Sequence, residues 1–300
     1  MKRANVIQDL LNAAVLGSIY LLAALGMSLT WGTIGILNFA HGAVFMFSAF
    51  SAYLLSTVVT LPAFAYVIVA ALVGAALSVL IYVFAFAPIH RRAADHRTAE
   101  VQILIGGIGV AAIPVAIAQY VTKSGSFGFT AASENVVLEF AGIHITTVGL
   151  TILVLAIAIS TATAVWLKKS RVGLALRAVG VDPETARLMG INESRLALGT
   201  MAASGLFAGL AGAMLSLHLV AINPNTGDGF LIKAFAVIVL GGVGSVAGVV
   251  VGSFALAFVE TFVILAGAGS WADGVAFALI FIVLLFRPQG IFGRKEVKRT

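Results

Sequence analysis

The sequence predicts an all-α polytopic membrane protein of about eight transmembrane helices, with a broken or re-entrant segment near 231–267. Three observations carry that fold class. Of the 300 residues, 61% are hydrophobic and only 10% charged, against 45–50% apolar content in ordinary soluble chains. The apolar residues gather into blocks long enough for the roughly 20 residues that a helix needs to cross a hydrocarbon core. These blocks do not alternate in polarity with a period of two, as membrane barrel strands must. The expected organisation is one membrane domain over residues 1–300, with a cytoplasmic loop at 168–195 inside it.

Taken in order, the blocks are 10–31, 34–58, 62–88, 101–122, 146–167, 196–220, 231–267 and 273–286. Lys2 and Arg3 before the first block resemble the start of a signal peptide. Hydrophobic blocks simply continue after it, with no small-x-small cleavage site, so it reads as an uncleaved helix. Most of the 18 lysines and arginines sit in three places. Arg91, Arg92 and Arg97 share one loop, Lys168 to Arg195 a second, and Arg287 to Arg299 the tail. The positive-inside rule puts all three in the cytoplasm, with the C-terminus, and parity puts 123–145 outside. The basic excess therefore orients a chain in the lipid bilayer and does not mark a nucleic-acid surface.

Parity also constrains the blocks themselves. Residues 195 and 287 lie on the same side with three blocks between them, so 231–267 must turn back. Gly241-Gly242-Val243-Gly244-Ser245 is the natural place, since glycines permit tight turns and close backbone approach. Non-helical backbone at membrane depth requires surrounding protein or a water-filled path. At the other end, either the N-terminus is outside or the block around 32–60 is broken too.

Several motifs could carry chemistry. Gly242-Val243-Gly244-Ser245-Val246-Ala247 fits a dinucleotide fingerprint in letters, but a fingerprint needs a strand before it in a soluble βαβ unit. Gly244, Gly248 and Gly252 recur every fourth residue, which reads as a face for close helix packing. Asn38, His41 and Gly42 lie within an apolar block, where polar groups are expensive unless they face a partner or a cavity. Asn38 and His41, three apart, would share a helix face, either fixing helix packing or lining a translocation path. Glu260 and His218 raise the same two readings. The five histidines, at 41, 90, 96, 144 and 218, show no metal-ligand spacing. With no cysteine in the chain, disulfides and thiolate-bound metals are excluded. No catalytic triad, zincin motif or cofactor-binding motif appears. Since no Gly-Lys pair exists to make a phosphate loop, any ATP hydrolysis belongs to another chain.

The most polar stretch is RAVGVDPETARLMGINESR, residues 177–195. Asp182 suits an N-cap, Pro183 a first helical position and Gly190 a left-handed closing residue. A two-turn helix is marginal alone in water, so it should pack on something. Leu188, Met189 and Ile191 beside Arg187 offer an apolar surface for docking a partner.

Here the residues become recognisable. Gly173-Leu174-Ala175-Leu176-Arg177-Ala178, followed by Pro183, Ala186 and Met189-Gly190-Ile191-Asn192, resembles the ATPase-coupling loop of branched-chain amino acid permeases of ABC importers, a loop that here would also take in Asp182, Glu184, Arg187 and Leu188. Leu37 to Gly42, Leu240 to Ser245 and Arg287 to Val297 look like the same family, so the resemblance runs from about residue 17 to 297. Length and pattern are similar to the H-like rather than the longer M-like subunit.

The resemblance implies a permease with no covalent chemistry, no metal and no cofactor of its own, in a bacterial inner membrane. Its implied partners are two ABC ATPase subunits, a second M-like permease and an external substrate-binding protein. Branched-chain or other small amino acids are the expected cargo, with urea or short amides as the alternative. An ion-coupled secondary transporter is a further alternative, with Glu260 and Asp273 as its coupling carboxylates.

Overall fold

The computed structural model describes residues 2–93, 95–129, 136–140, 143–287 and 289–293. In chain order the elements are α1 (Lys2–Ile34), α2 (His41–Ser56), α3 (Ala63–Ile81), α4 (Ala87–Arg92) and α5 (His96–Thr122). A two-stranded antiparallel hairpin of β1 (Val137–Phe140) and β2 (Ile143–Thr146) follows. Then come α6 (Thr147–Lys169), α7 (Arg171–Val179), α8 (Pro183–Leu188), α9 (Glu193–Leu219), α10 (Thr226–Gly241), α11 (Val246–Leu265) and α12 (Ala272–Phe286). Among the described residues, seven helical segments are long and apolar enough to cross a membrane, and α2 is a shorter apolar helix. The chain is therefore all-α and polytopic, and each of the eight apolar blocks contains helix. Among the described residues, the hairpin is an element that hydrophobic patterning did not anticipate.

α1 is the central staff. It packs on α9, α10, α11 and α6, and its middle residues from Ile19 to Leu25 are almost wholly buried. Around it, close approach depends on missing side chains. A Cβ on Gly74 of α3 would overlap the carbonyl oxygen of Gly205 in α9, and one on Gly42 of α2 would overlap that of Gly227 in α10. Such contacts give helices without a hydrophobic driving force between them the dense packing that holds them together in lipid. Between α3 and α4 one π-helical turn, Tyr82–Phe86, keeps the rod continuous.

The ends of the rods fix relative topology. Gln8 at the start of α1 exchanges hydrogen bonds with the backbone of His144 in β2, at 2.7 and 2.8 Å. The far end of α1 and the two residues after it, Trp31 to Ile36, border a cavity shared with His90, Arg91, Pro183 and Arg187. α1 thus runs from the hairpin end of the molecule to its basic end. Three rods, α1, α2 and α3–α4, then lead to the 89–100 loop, which places the start of α1 opposite the basic loops. Of the two options left by parity, this is the one with the N-terminus on the opposite side. The chain is nonetheless non-helical at 35–40 as well, within the block around 32–60 that parity offered as the other option. Arg294, Lys295, Lys298 and Arg299 of the basic tail, Glu134 of the 123–145 segment, and Ser133 lie outside the described residues.

The 231–267 block turns back, and it does so at the glycines. α10 ends at Gly241, and Gly242 and Gly244 have φ of +99° and +76°, values that only glycine adopts at little cost. The Ser245 side chain then caps α11, accepting from the Gly248 N–H at 3.1 Å. One expectation needs correcting. Gly244 is not on the helical packing face with Gly248 and Gly252, because the helix begins only at Val246. Gly248 and Gly252 press against α10, whereas Gly244 sits in the turn against Gly32 of α1. After α12 the chain returns to this turn: the N–H groups of Ile291 and Phe292 donate to the carbonyls of Leu240 and Gly241 at 2.9 and 3.0 Å.

Candidate coupling helix and intramembrane polar sites

At the basic end, the 168–195 loop folds as two short helices rather than one. Ser170 caps α7, its hydroxyl accepting from Gly173 N–H at 2.8 Å. α7 buries Gly173, Leu176 and Val179 and leaves Arg177 exposed, reaching back to the Lys168 carbonyl at 3.4 Å. α8 follows with the local chemistry expected of it. Asp182 Oδ1 accepts from Thr185 N–H at 3.1 Å and Oδ2 from its hydroxyl at 2.6 Å. Pro183 occupies the first turn, with Glu184 beside it at the favourable end of the helix dipole. Gly190 has a φ of +82°, and the Ile191 N–H returns to the Ala186 carbonyl at 3.1 Å.

Burial divides this helix into two faces. Ala186 is buried against the body of the protein, while Leu188 and Met189 are 87% and 79% exposed. Ile191 is only partly exposed, so the apolar surface open to a partner is chiefly Leu188 and Met189. Arg187 carries a tie that no spacing rule suggested. Its guanidinium donates to Glu193 Oε2 at 2.6 Å, clamping α8 to the first turn of α9. That bond holds the Arg187 pKa above its ordinary value. Behind α8 lies a cavity of about 240 Å³ between α1, α4, α5, α7 and α9.

Asn38 and His41 do not share a helix face, which corrects the i, i+3 expectation. Asn38 precedes α2, and its carbonyl oxygen accepts the His41 N–H at 3.2 Å across a turn. Its side-chain oxygen accepts from Ala40 N–H at 2.9 Å. The Asn38 Nδ2 is buried with no hydrogen-bond partner among the described residues. His41 points instead into the α1–α9 contact. One ring nitrogen lies 2.9 Å from the Ala23 carbonyl and the other 3.4 Å from the Ser204 hydroxyl. Both residues are fully buried; His41 links α2 to α1 and α9, while Asn38 bonds only within its own turn. His218, in the last turn of α9, is partly buried.

Glu260 has the richest surroundings. Its Oε2 accepts from the Tyr20 hydroxyl at 2.6 Å and its Oε1 from the Lys233 ammonium at 2.6 Å. Lys233 also donates to the Tyr20 oxygen at 3.1 Å and lies 3.5 Å from Asp273 Oδ1. The network thus joins α1, α10, α11 and the first turn of α12. Lys233 was passed over in the sequence, where it is a single cation in the apolar run Phe230–Leu240. Its charge within that run was the available signal. Among the described residues, no cluster of three potential metal-ligating side chains occurs.

Comparison with known proteins bears on these elements. Residues 10–284 match the family model described as "Branched-chain amino acid transport system / permease component". The chain is 32% identical over 311 residues to the high-affinity branched-chain amino acid transport system permease protein BraD of Pseudomonas aeruginosa, covering 99% of this chain and 98% of that protein. It is 30% identical over 310 residues to the corresponding permease LivH of Escherichia coli, covering 98% and 97%. A shorter stretch of 94 residues is 40% identical to the xylose transport system permease XylH of Escherichia coli, covering 29% of this chain and 24% of that one. In fold it is similar to a chain of the structure titled "PsaBC from Streptococcus pneumoniae in complex with Fab". That likeness has a TM-score of 0.52 at 13% identity and covers 94% of this chain and 92% of that one.

Proposed function

Since the chain belongs to the branched-chain amino acid permease family, a family of transport subunits rather than enzymes, we propose that it is the H-like membrane subunit of a binding-protein-dependent ABC importer. It moves branched-chain or other small amino acids across the bacterial inner membrane. ATP is hydrolysed by two partner ATPase subunits, substrate arrives on an external binding protein, and a second, M-like permease completes the pore. The basic end, and the C-terminus with it, then faces the cytoplasm.

The observation that best supports this reading is α8. Six helical residues are too few to be stable alone, yet this helix carries a proline start, a bidentate Asp182 cap and a left-handed glycine close. Leu188 and Met189, its large apolar side chains, are turned outward. A solvated loop has no use for that combination, whereas a rigid knob that seats in a moving ATPase subunit requires it. In this reading Gly173, Arg177 and α7 hold the knob in place, and Gly241, Gly242 and Gly244 form the backbone turn between α10 and α11, packed on the basic end of α1.

The test is reconstitution of the permeases with their ATPases and binding protein in liposomes. Gly190→Val puts a β-branched residue at a positive φ, where it is poorly tolerated, and alters only the loop. Near-normal permease abundance, weakened retention of the ATPase subunits and loss of substrate-stimulated hydrolysis are expected. Uptake of labelled leucine that proceeds without ATP, or an intact response in Gly190→Val, would overturn the assignment.

A further inference from the structure

We propose that the cavity behind α8 binds a free amino acid from the cytoplasm and, while filled, ties the coupling helix to α4. This rests on the permease reading above, which puts the cavity on the side where cargo is released. It adds a site through which the delivered product restrains its own import.

Size and lining are the first reason. The cavity measures about 240 Å³, far more than the roughly 30 Å³ of one bridging water. It falls a little under the roughly 300–1,000 Å³ of sites for drug-sized ligands. Trp31, Ile34, Ile36, Ile103 and Val179 give it apolar surface, which a few polar groups share. That composition is the one a small-molecule site requires.

Unmatched polar groups are the second reason. Glu193 uses Oε2 to hold Arg187 at 2.6 Å. Its Oε1 is buried with no hydrogen-bond partner among the described residues, a costly state for a charged acceptor. Arg91 also lines the cavity and forms no salt bridge among the described residues, so its guanidinium is available to a carboxylate. Tyr82 lies within electrostatic reach of both Arg91 and Glu193, so the two charges border one phenol. His90 and Glu100, on the same lining, hold contacts of their own. A simple anion would satisfy Arg91 and leave Oε1 orphaned, and a simple amine would do the reverse. An α-amino acid does both. Its carboxylate takes Arg91, its ammonium takes Glu193 Oε1, and an aliphatic side chain lies on the apolar surface. Glu193 then serves two cations, one on each oxygen, within the acceptor capacity of a carboxylate.

Position is the third reason. Arg91 lies in the last turn of α4 and Glu193 in the first turn of α9, and Glu193 is already clamped to Arg187 of α8. A ligand spanning Arg91 and Glu193 therefore joins α8 and α9 to α4. A coupling helix held in this way cannot follow an ATPase subunit freely.

The chain has no cysteine, so Ser194→Cys, at an exposed residue lining the cavity, reports occupancy through its rate of maleimide labelling. The complex of permeases and ATPases is placed in nanodiscs without binding protein. Millimolar leucine should slow labelling severalfold and lower basal ATP hydrolysis over the same concentration range. 4-Methylpentanoate and 3-methylbutylamine, each with one of the two charges, should do neither. Arg91→Gln should raise the leucine concentration needed for both effects roughly tenfold or more, as expected on losing a charge-assisted contact. Arg92→Gln, at the neighbouring arginine outside the lining, should leave both unchanged. Each variant should keep the wild-type initial rate of uptake into vesicles that hold no leucine. Labelling that leucine does not slow, an Arg91→Gln response equal to wild type, protection by 4-methylpentanoate equal to that by leucine, or protection without inhibition would overturn the proposal. Failure of the wild-type complex to take up leucine with ATP would instead count against the permease reading.

Discussion

Replacing Gly242 by alanine should release the C-terminal segment from the bundle while leaving the helices in place. Gly242 adopts φ +99° and ψ 128°, a region nearly closed to L-residues and costing about 1–3 kcal/mol when one is forced into it. A Cβ there would also stand 2.5 Å from the Gly293 nitrogen and 2.8 Å from its Cα, so the backbone at 293 must move. Two hydrogen bonds hold that segment, from Ile291 and Phe292 to the carbonyls of Leu240 and Gly241, and losing them costs about 1 kcal/mol each. Because displacing the segment relieves the clash, the expected destabilisation is about 3–5 kcal/mol, concentrated at this junction. Gly244→Ala is the control. Its Cβ would meet Gly32 at 3.2 Å, so the left-handed penalty of about 1–2 kcal/mol dominates. The chain has no cysteine, so a single cysteine at Phe292 reports on docking through its rate of maleimide labelling, read beside the melting temperature in detergent. Gly242→Ala should speed labelling strongly and Gly244→Ala weakly. Equal rates and equal melting temperatures in the two variants would refute the strain account.

Gly244→Leu should go further than alanine and lower both abundance and uptake, since the bulk falls on the backbone of Gly32; immunoblotting and transport assays check it. Arg187→Glu should weaken ATPase retention, but it also breaks the tie to Glu193. An exposed pair of this kind stabilises by no more than about 1 kcal/mol. Arg187→Glu combined with Glu193→Arg should restore the tie but not the retention, if the arginine's charge is what the partner reads. Asp182→Ala removes both bonds to Thr185 and should cost about 1 kcal/mol of helix stability, seen as roughly fivefold weaker ATPase binding in pull-down titrations if the helix is only marginally formed. A cysteine replacing Glu184 should be labelled only from the cytoplasm, and one replacing Glu139 only from outside. External labelling at Glu184 in sealed cells would invert the topology.

Local chemistry explains which of these features could be read from the chain. α8 was readable because a cap, a proline and a closing glycine act within a few residues of themselves. The turn at 241–245 was readable because parity demanded a reversal and glycine marked where it could occur. α7 was not, because its charges and Gly173 look like loop until Leu176 and Val179 find a body to pack on. Parity narrowed the 35–40 break only to the block around 32–60, as one of two options, and nothing local beyond Asn38 marked where it falls. Most of all, the partners of Glu260 lie 27 and 240 positions away in sequence, and no spacing rule connects them. The readable part was the part made by neighbours along the chain.

That separation has a consequence for how the protein is made. Tyr20 enters the membrane early, but Glu260 leaves the ribosome only after 240 more residues, about 12–50 s later at common elongation rates. Lys233 precedes its carboxylate by 27 residues, so α10 would enter lipid carrying an uncompensated ammonium if it were inserted alone. The α10–α11 hairpin therefore has reason to enter as one unit, with the charges already matched. Until it arrives, α1 must be held with its polar groups shielded by something other than its final neighbours. Biogenesis, on this view, is timed by a single pair of side chains.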